Sequence, residues 1–302
     1  VRKFVDMYFD SSKRDKLKVY QTQQLTFNDA KVLDWLRDRP DSNKIAEELN
    51  NILAEGMQLH PINKLNVHLK LESLLKSEPA SNLKQVKARA LVWQCKGYCA
   101  IFSHVFKEVK VRLKDLLRPE IVYSDGLRAD ELAARVRLTT NVKFLLENDL
   151  AQQDKQTDHE IIKVEMEIYK LLGVCPHLVD LWKNCHHSWA YKSRTVAGVG
   201  DAMRLTGQAT TAIGNAITNM LVHRRLVKTL GHNLRLFLVL GDDGLMFTTT
   251  WVDTTKLNNE LKTNHNMMCK PSLSQTHGVF CCMMAAITDE GNCTLGPDVV
   301  RL

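Results

Sequence analysis

No apolar run in this chain approaches the 18 or more residues that a membrane-spanning helix needs, and nothing at its start reads as a secretion signal. Proline and glycine are sparse, 7 and 14 residues, and nowhere do they gather into a linker. Internal repeats and low-complexity blocks are missing as well, so the chain does not read as a string of modules. Eight cysteines occur without a single CxxC pair, which leaves the run Cys185-His186-His187 without the second half of a zinc site. Free thiols in a reducing compartment are the expectation, with zinc at that run the lesser alternative.

The 302 residues suffice for a large core and two or three subdomains. Apolar content of 44% and charged content of 25% are ordinary for a globular protein. A net charge of +7 has the sign that suits a polyanionic partner. The first residue is Val1 and the last stretch, "GPDVVRL", breaks off in mid-pattern, so a segment of a longer polypeptide is expected.

Hydrophobic spacing predicts mainly helix from 27 to 75, as in "DSNKIAEELNNILAEG", where Asp41 or Ser42 caps and Gly56 stops the run. Residues 81–118 are strongly basic around the apolar "ALVW", and 128–139 reads as helix. Then come a short strand "KFLLEND", a helix ending at Gly173, and a long helix "TTAIGNAITNMLVHRRLVKTLG" closed by Gly231. Two strands around "GDDG", a capped helix "DTTKLNNELKTN" and short strands at 267–270 and 278–287 complete the pattern. The order predicts an α+β fold, an antiparallel sheet with helices on one face.

The stretch "LRLFLVLGDDGLMFTTTW" sets two aspartates inside a strong hairpin signal. Asp242 and Asp243 read either as turn formers or as metal ligands. Two carboxylates at the tip of a buried hairpin repel each other unless a cation neutralises them, and hard divalent cations take oxygen ligands. A third carboxylate is available in "ENDLAQQDKQTDHE", where Asp149 ends a short apolar strand and Asp154 comes five residues later as the chain turns toward a helix. Asp149 and Asp242 are thus assigned as the main magnesium ligands, with Asp243 assisting and manganese an alternative ion. Asp6 and Asp10 in "FVDMYFDSSKRD" mimic this pairing but lie too far upstream to join the same site.

In order and approximate spacing, "DLAQQDKQTD", "RLTGQATTAIGNAITN" and "LVLGDDG" resemble motifs A, B and C of the palm of positive-strand viral RNA-dependent RNA polymerases. "ARALVWQCKGYCAIFSHVFKEVKVRL" is similar to their basic finger motif, and "GVFCCMMAAI" with "LGPDVVRL" to the primer grip and the segment beyond it. The likeness covers about 81 to 302 and is greatest to the alphavirus-like supergroup, with endornavirus and closterovirus polymerases as near kin. It implies a right-hand polymerase: mainly helical fingers over 1–140 with a basic segment at 84–118, and a palm over 141–290. Within that palm fall motifs A (149–158), B (204–219), C (238–247), D (254–270) and E (278–285). Part of the fingers would be inserted at 173–203, and 291–302 would begin a truncated thumb.

The resemblance implies template-directed RNA synthesis for viral genome replication and transcription, by a two-metal mechanism. It makes Asp154 and Asn215 the readers of the ribose 2′-hydroxyl. The pattern supports this, because Thr211, Asn215 and Asn219 form one polar stripe at helical spacing while Ile213, Ile217 and Met220 or Leu221 fall on another face. Thr206 stands where most relatives have serine, beside Gly207, a hinge able to take positive φ. Triphosphate contacts fall to Arg89 first, then Lys87 and Lys96, with Lys84 in the same run. Lys107, Lys110, Arg112, Lys114 and Arg118 are expected to line a channel for the RNA backbone. Lys270 is the expected general acid and Lys262 the second choice, while Phe280 reads as core or as primer contact.

The expected partners are RNA template and product, nucleoside triphosphates and other replicase domains. The host cytoplasm is the expected location, at membranes reached through regions outside this segment. A non-catalytic RNA-binding palm and a metal-dependent nuclease are the rival readings. Neither explains the asparagine stripe and the glycine loop together with the carboxylates.

Overall fold

The computed structural model describes residues 1–56, 64–69, 90–186, 188–192, 197–201 and 203–298. Helices α1 (Arg2–Tyr8), α2 (Arg14–Thr22), α3 (Asp29–Arg37) and α4 (Ser42–Glu55) come first. Strands β1 (Lys64–Leu69) and β2 (Ala90–Gln94) and helix α5 (Lys96–Leu116) come after them. Next are β3 (Ile121–Tyr123), α6 (Ala129–Arg137), β4 (Phe144–Asp149), α7 (Gln153–Gln156), α8 (His159–Leu171) and α9 (Pro176–Cys185). The chain continues through β5 (Ser188–Lys192), β6 (Ala197–Asp201), α10 (Thr211–Leu230), β7 (Leu234–Leu240), β8 (Asp243–Thr248) and α11 (Thr254–His265). Strands β9 (Ser272–Ser274), β10 (His277–Phe280), β11 (Met283–Ile287) and β12 (Cys293–Pro297) end the described chain.

Among the described residues the strands form three sheets. The central one has the order β3-β7-β8-β4-β9. It is mixed rather than antiparallel throughout, because β3 runs parallel to β7 at one edge. Side chains alternate across it. Phe237, Val239 and Met246 join one core with Ile213, Ile217 and Met220 of α10, while Leu236, Leu238, Leu245 and Phe247 join a second. Burial on both faces explains the apolar run 236–240 of β7, which only Arg235 near its start interrupts. It also corrects the expectation of helices on one face: α6 and the sheet β10-β11-β12 cover the other one. Phe280 belongs to that second core, so it is packing.

Two strand expectations shift. Residues 64–69 lie in the stretch expected to be mainly helical, yet "KLNVHL" forms β1, paired with β2 and, in parallel, with β5. The strand expected at 267–270 is a single bridge, Leu150 with Cys269, and the ladder resumes at β9. Pro271 separates the two stretches and has no N–H to donate. Strand β12 pairs antiparallel with β11 and closes the sheet β10-β11-β12.

The helices meet at α5, whose buried residues Tyr98, Ile101, Phe102, Val105, Phe106, Val109 and Leu113 recur every three or four positions. Phe102 and Phe106 lie 4.5 and 5.3 Å, centroid to centroid, from Trp182 of α9, and Phe106 lies 4.9 Å from Tyr169 of α8. Such ring pairs contribute about 0.5–1.5 kcal/mol each beyond the area they bury.

Two histidines are sealed into this frame. His186 and His223 are 1% and 0% exposed, and burial pushes each pKa down to about 4 from 6.5. The unfolded chain would take these protons near pH 6.5, and the folded chain resists until about pH 4. Stability is therefore complete above pH 6.5 and is expected to fall as the pH drops toward 4, by up to roughly 3 kcal/mol per histidine. Urea unfolding measured across that window checks it, and a midpoint that stays level from pH 7 to 4 refutes it.

Candidate active site

The two adjacent aspartates part company at the tip of the hairpin. Leu240 pairs with Asp243, which leaves Gly241 and Asp242 as the two-residue turn. Gly241 has φ 61°, the positive value that a type II′ turn requires at its first position. Asp243 is therefore the first residue of β8 rather than part of the loop. On the far side of β8 its direct partner in β4 is Asp149, so the two carboxylates leave the sheet on one face.

A third segment closes on them. The Lys270 backbone N–H donates to the Asp149 carbonyl at 2.9 Å, and Ala151 N–H donates to the Met268 carbonyl at 2.9 Å. Asp149 and Lys270 stand between two cavities of roughly 350 and 570 Å³, the smaller lined also by Asp243 and Cys281, the larger by Asp242 and Lys155. Lys262 lines neither. Loss of hydration raises the Asp242 pKa, and the negative charges of Asp243, Asp149 and Asp154 add to the effect. A cation would relieve this crowding. The donors are all carboxylate oxygens, the set that suits a hard divalent ion such as magnesium. Among the described residues no three acidic, histidine or cysteine groups enclose an ion by themselves. Magnesium does not require that, since it takes one or two carboxylates and completes its shell with water and phosphate.

Helix α10 brings a second cluster. Asn215 Nδ2 donates to Asp154 Oδ1 at 2.7 Å, and Thr206 Oγ1 stands 3.4 Å from Asp154 Oδ2. Gln153 Nε2 donates to the Asn215 carbonyl at 2.8 Å, tying α10 to the start of α7. Asn215 Oδ1 is buried and finds no hydrogen-bond partner among the described residues. One turn on, Asn219 Nδ2 donates to the Asp242 carbonyl at 2.9 Å, so one helix face touches both clusters. Thr211 does something else. Its hydroxyl donates to the Leu205 carbonyl at 2.7 Å and closes the loop before the helix. Within that loop Gly207 has φ 79°.

The cations divide. Lys84, Lys87 and Arg89 lie outside the described residues. Lys96 pairs with Asp41 and, with Lys107, Lys110 and Lys114, lines a cleft of roughly 670 Å³ that reaches Gly207 and Gln208. Lys110 also meets Asp125 at 3.1 Å. Arg112 and Arg118 depart from the expected channel. Arg112 is 5% exposed and bonded to backbone carbonyls, and Arg118 pairs with Glu120 at 3.2 Å.

The zinc alternative has no support. The Cys185 thiol bonds to the Leu181 carbonyl, His186 sits between the Trp182 carbonyl and Gln208, and His187 lies outside the described residues. Asp10 caps a short turn through Ser12.

Three neighbours of the site carry no signal in the sequence. Lys155 comes directly after Asp154, Gln153 precedes it, and Cys281 donates its thiol to Asp243 Oδ2 at 3.2 Å. Cys281 and Cys282 form the β10–β11 turn with φ of 49° and 62°, left-handed values that non-glycine residues seldom adopt. Strain of this kind gathers at functional sites.

A sequence model of RNA-dependent RNA polymerases matches residues 1–302. The chain is 21% identical over 261 residues to the replicase large subunit of tobacco rattle virus (isolate PpK20), covering 80% of this chain and 14% of that protein. It is 24% identical over 242 residues to replicase polyprotein 1ab of beet yellows virus (isolate Ukraine), covering 78% of this chain and 8% of that one. The RNA-directed RNA polymerase of barley stripe mosaic virus is 32% identical over 107 residues, 35% of this chain and 14% of its own. The chain thus spans 14% or less of each of these relatives.

Proposed function

The chain belongs to the RNA-dependent RNA polymerase family, in likeness to the replicases of alphavirus-like viruses, and on that premise we propose that it joins ribonucleotides on an RNA template to copy and transcribe a viral genome. The observation that carries the reading is the Asp149–Asp243 strand pair, with Asp242 at the adjoining turn and one helix bonding both to that turn and to Asp154.

The family implies dependence on divalent metal. A pair of magnesium ions, or manganese in their place, held by Asp149 and Asp242 with Asp243 assisting, would activate the 3′-hydroxyl and stabilise the leaving pyrophosphate. Lys270, which lines both cavities beside Asp149, would give that pyrophosphate its proton. Asp154 and Asn215 read the ribose. The unpartnered Asn215 Oδ1 suits a hydroxyl donor, and the Asp154 carboxylate is already aligned by the Asn215 amide. Thr206 and Gly207 form the loop against which base and ribose settle. Lys96, with Lys87 and Arg89, binds the triphosphate, and Lys107, Lys110 and Lys114 carry the RNA backbone along the basic cleft.

Residues 141–290 correspond in this reading to the palm and 1–140 to the fingers. The pairing of β1 with β5 supports assigning 173–203 to the fingers too. Other replicase domains would lie on the same polypeptide, at membranes in the host cytoplasm. A silent RNA scaffold or a nuclease would use the carboxylates or the basic cleft, but neither has work for an Asp154–Asn215 pair. Primer extension tests the proposal. Labelled ribonucleotide should be added only as the template base dictates, and a chelator should stop it. Addition that ignores the template, or persists in excess chelator, would overturn it.

A further inference from the structure

We propose that Arg204, locked by Glu165, is a positioning residue for ribose selection: it fixes the Asp154 carboxylate against the Asn215 amide. The proposal rests on the reading of that pair as the 2′-hydroxyl reader.

Arg204 and Glu165 are 2% and 0% exposed. Arg204 Nη1 donates to Glu165 Oε1 at 3.0 Å and to Thr210 Oγ1 at 3.1 Å, and Nη2 pairs with Glu165 Oε2. The Tyr169 hydroxyl donates to the same carboxylate. A forked pair of this kind fixes direction as well as distance. The guanidinium lies flat on the α10 backbone, where a Cβ added at Gly214 would collide with it, so the next residue, Asn215, takes its height from Arg204. At its other end, the Arg204 backbone N–H donates to the Asp154 carbonyl at 3.0 Å. One residue therefore touches both halves of the reader, Asp154 through its main chain and the Asn215 helix through its side chain.

Energetics point the same way. Burying an ion pair costs so much hydration that replacing it with apolar groups is often neutral or stabilising. Net stability is a weak reason for such a pair, and control of geometry is a better one. Recognition of one hydroxyl depends on that geometry, since a displacement of about 1 Å can cost a hundredfold in rate.

The test compares kcat/KM for a ribonucleoside triphosphate and its 2′-deoxy counterpart on an RNA template, using the whole chain. Arg204→Lys keeps the charge and loses the fork. Glu165→Gln keeps the shape and loses the charge. Tyr169→Phe, which removes one bond to Glu165, is the mild variant that serves if the others do not fold. Asn215→Ala removes part of the reader itself.

The expected result is a ribose preference lowered roughly tenfold in Arg204→Lys or Glu165→Gln, and less in Tyr169→Phe, because the deoxy substrate has no hydroxyl to misplace. A purely structural role would lower both substrates by the same factor and leave the ratio alone. A ratio unchanged in these variants but lowered in Asn215→Ala would overturn the role of Arg204 and leave the reader standing. A ratio unchanged in Asn215→Ala as well would overturn the reader and this proposal with it.

Discussion

Asp242→Ala is expected to reduce ribonucleotide addition by roughly a thousandfold or more, the scale on which charge-stabilising groups act in phosphoryl transfer. The fold should not suffer. Asp242 is a turn residue outside the core, where neighbouring groups displace part of its water, and that lost hydration together with the charges of Asp243, Asp149 and Asp154 raises its pKa. A carboxyl whose pKa rises on folding supports the fold when protonated, and that support is lost as the pH climbs through the raised value. At neutral pH its ionised form is a burden, which alanine removes. The variant should therefore unfold at the same temperature as the parent or a higher one, while losing activity. Primer extension beside thermal unfolding at pH 7 checks both halves. Equal addition by parent and variant would remove Asp242 from the chemistry. Lost activity together with a collapsed midpoint would recast it as structural.

The second large effect is on stability. Arg112→Met should lower the unfolding free energy by roughly 3 kcal/mol or more. Arg112 Nη1 lies 2.9 Å from the carbonyls of Tyr20 and Gln23 and 3.0 Å from that of Leu172, and the guanidinium stacks 4.8 Å over the Tyr20 ring. It thereby binds α5 to the ends of α2 and α8. Methionine keeps much of the volume and leaves those carbonyls without this donor. Urea unfolding gives the loss, and RNA binding against salt gives the contrast. A phosphate-binding arginine would lower the salt slope by about one when removed, whereas a buried strut leaves the slope unchanged. A lowered slope with intact stability would return Arg112 to the RNA channel.

These two residues show where the sequence can be read and where it cannot. The "GDDG" hairpin and the long helix before it rest on local signals, turn chemistry and helical period, each encoded within a few residues of itself, and each is legible. The pairing of Asp154 with Asn215, distant in the chain, is legible only through the likeness of motifs A and B, with the polar stripe of the helix in support. Arg112 is not legible, because its basic neighbours Lys107, Lys110 and Lys114 present the same composition while facing a cleft. What separates them is the identity of the distant backbone they meet, from α2 and α8. Strand β1 is hidden for a related reason, since its partners β2 and β5 lie far along the chain. The contact of Cys281 with Asp243 depends on how one hairpin docks against another, and no spacing rule encodes that. Thr211 carries the right period for the reader stripe, yet its hydroxyl is already engaged by the loop.

The left-handed turn at Cys281 and Cys282 has a practical corollary. Of the eight thiols Cys282 alone is exposed, and its neighbour is engaged by a carboxylate that pushes its pKa up further after burial has done so. An alkylating dye or spin label added in limiting amount would therefore mark Cys282 first. A reporter would then stand one residue from the Asp243 contact in the unmodified natural chain.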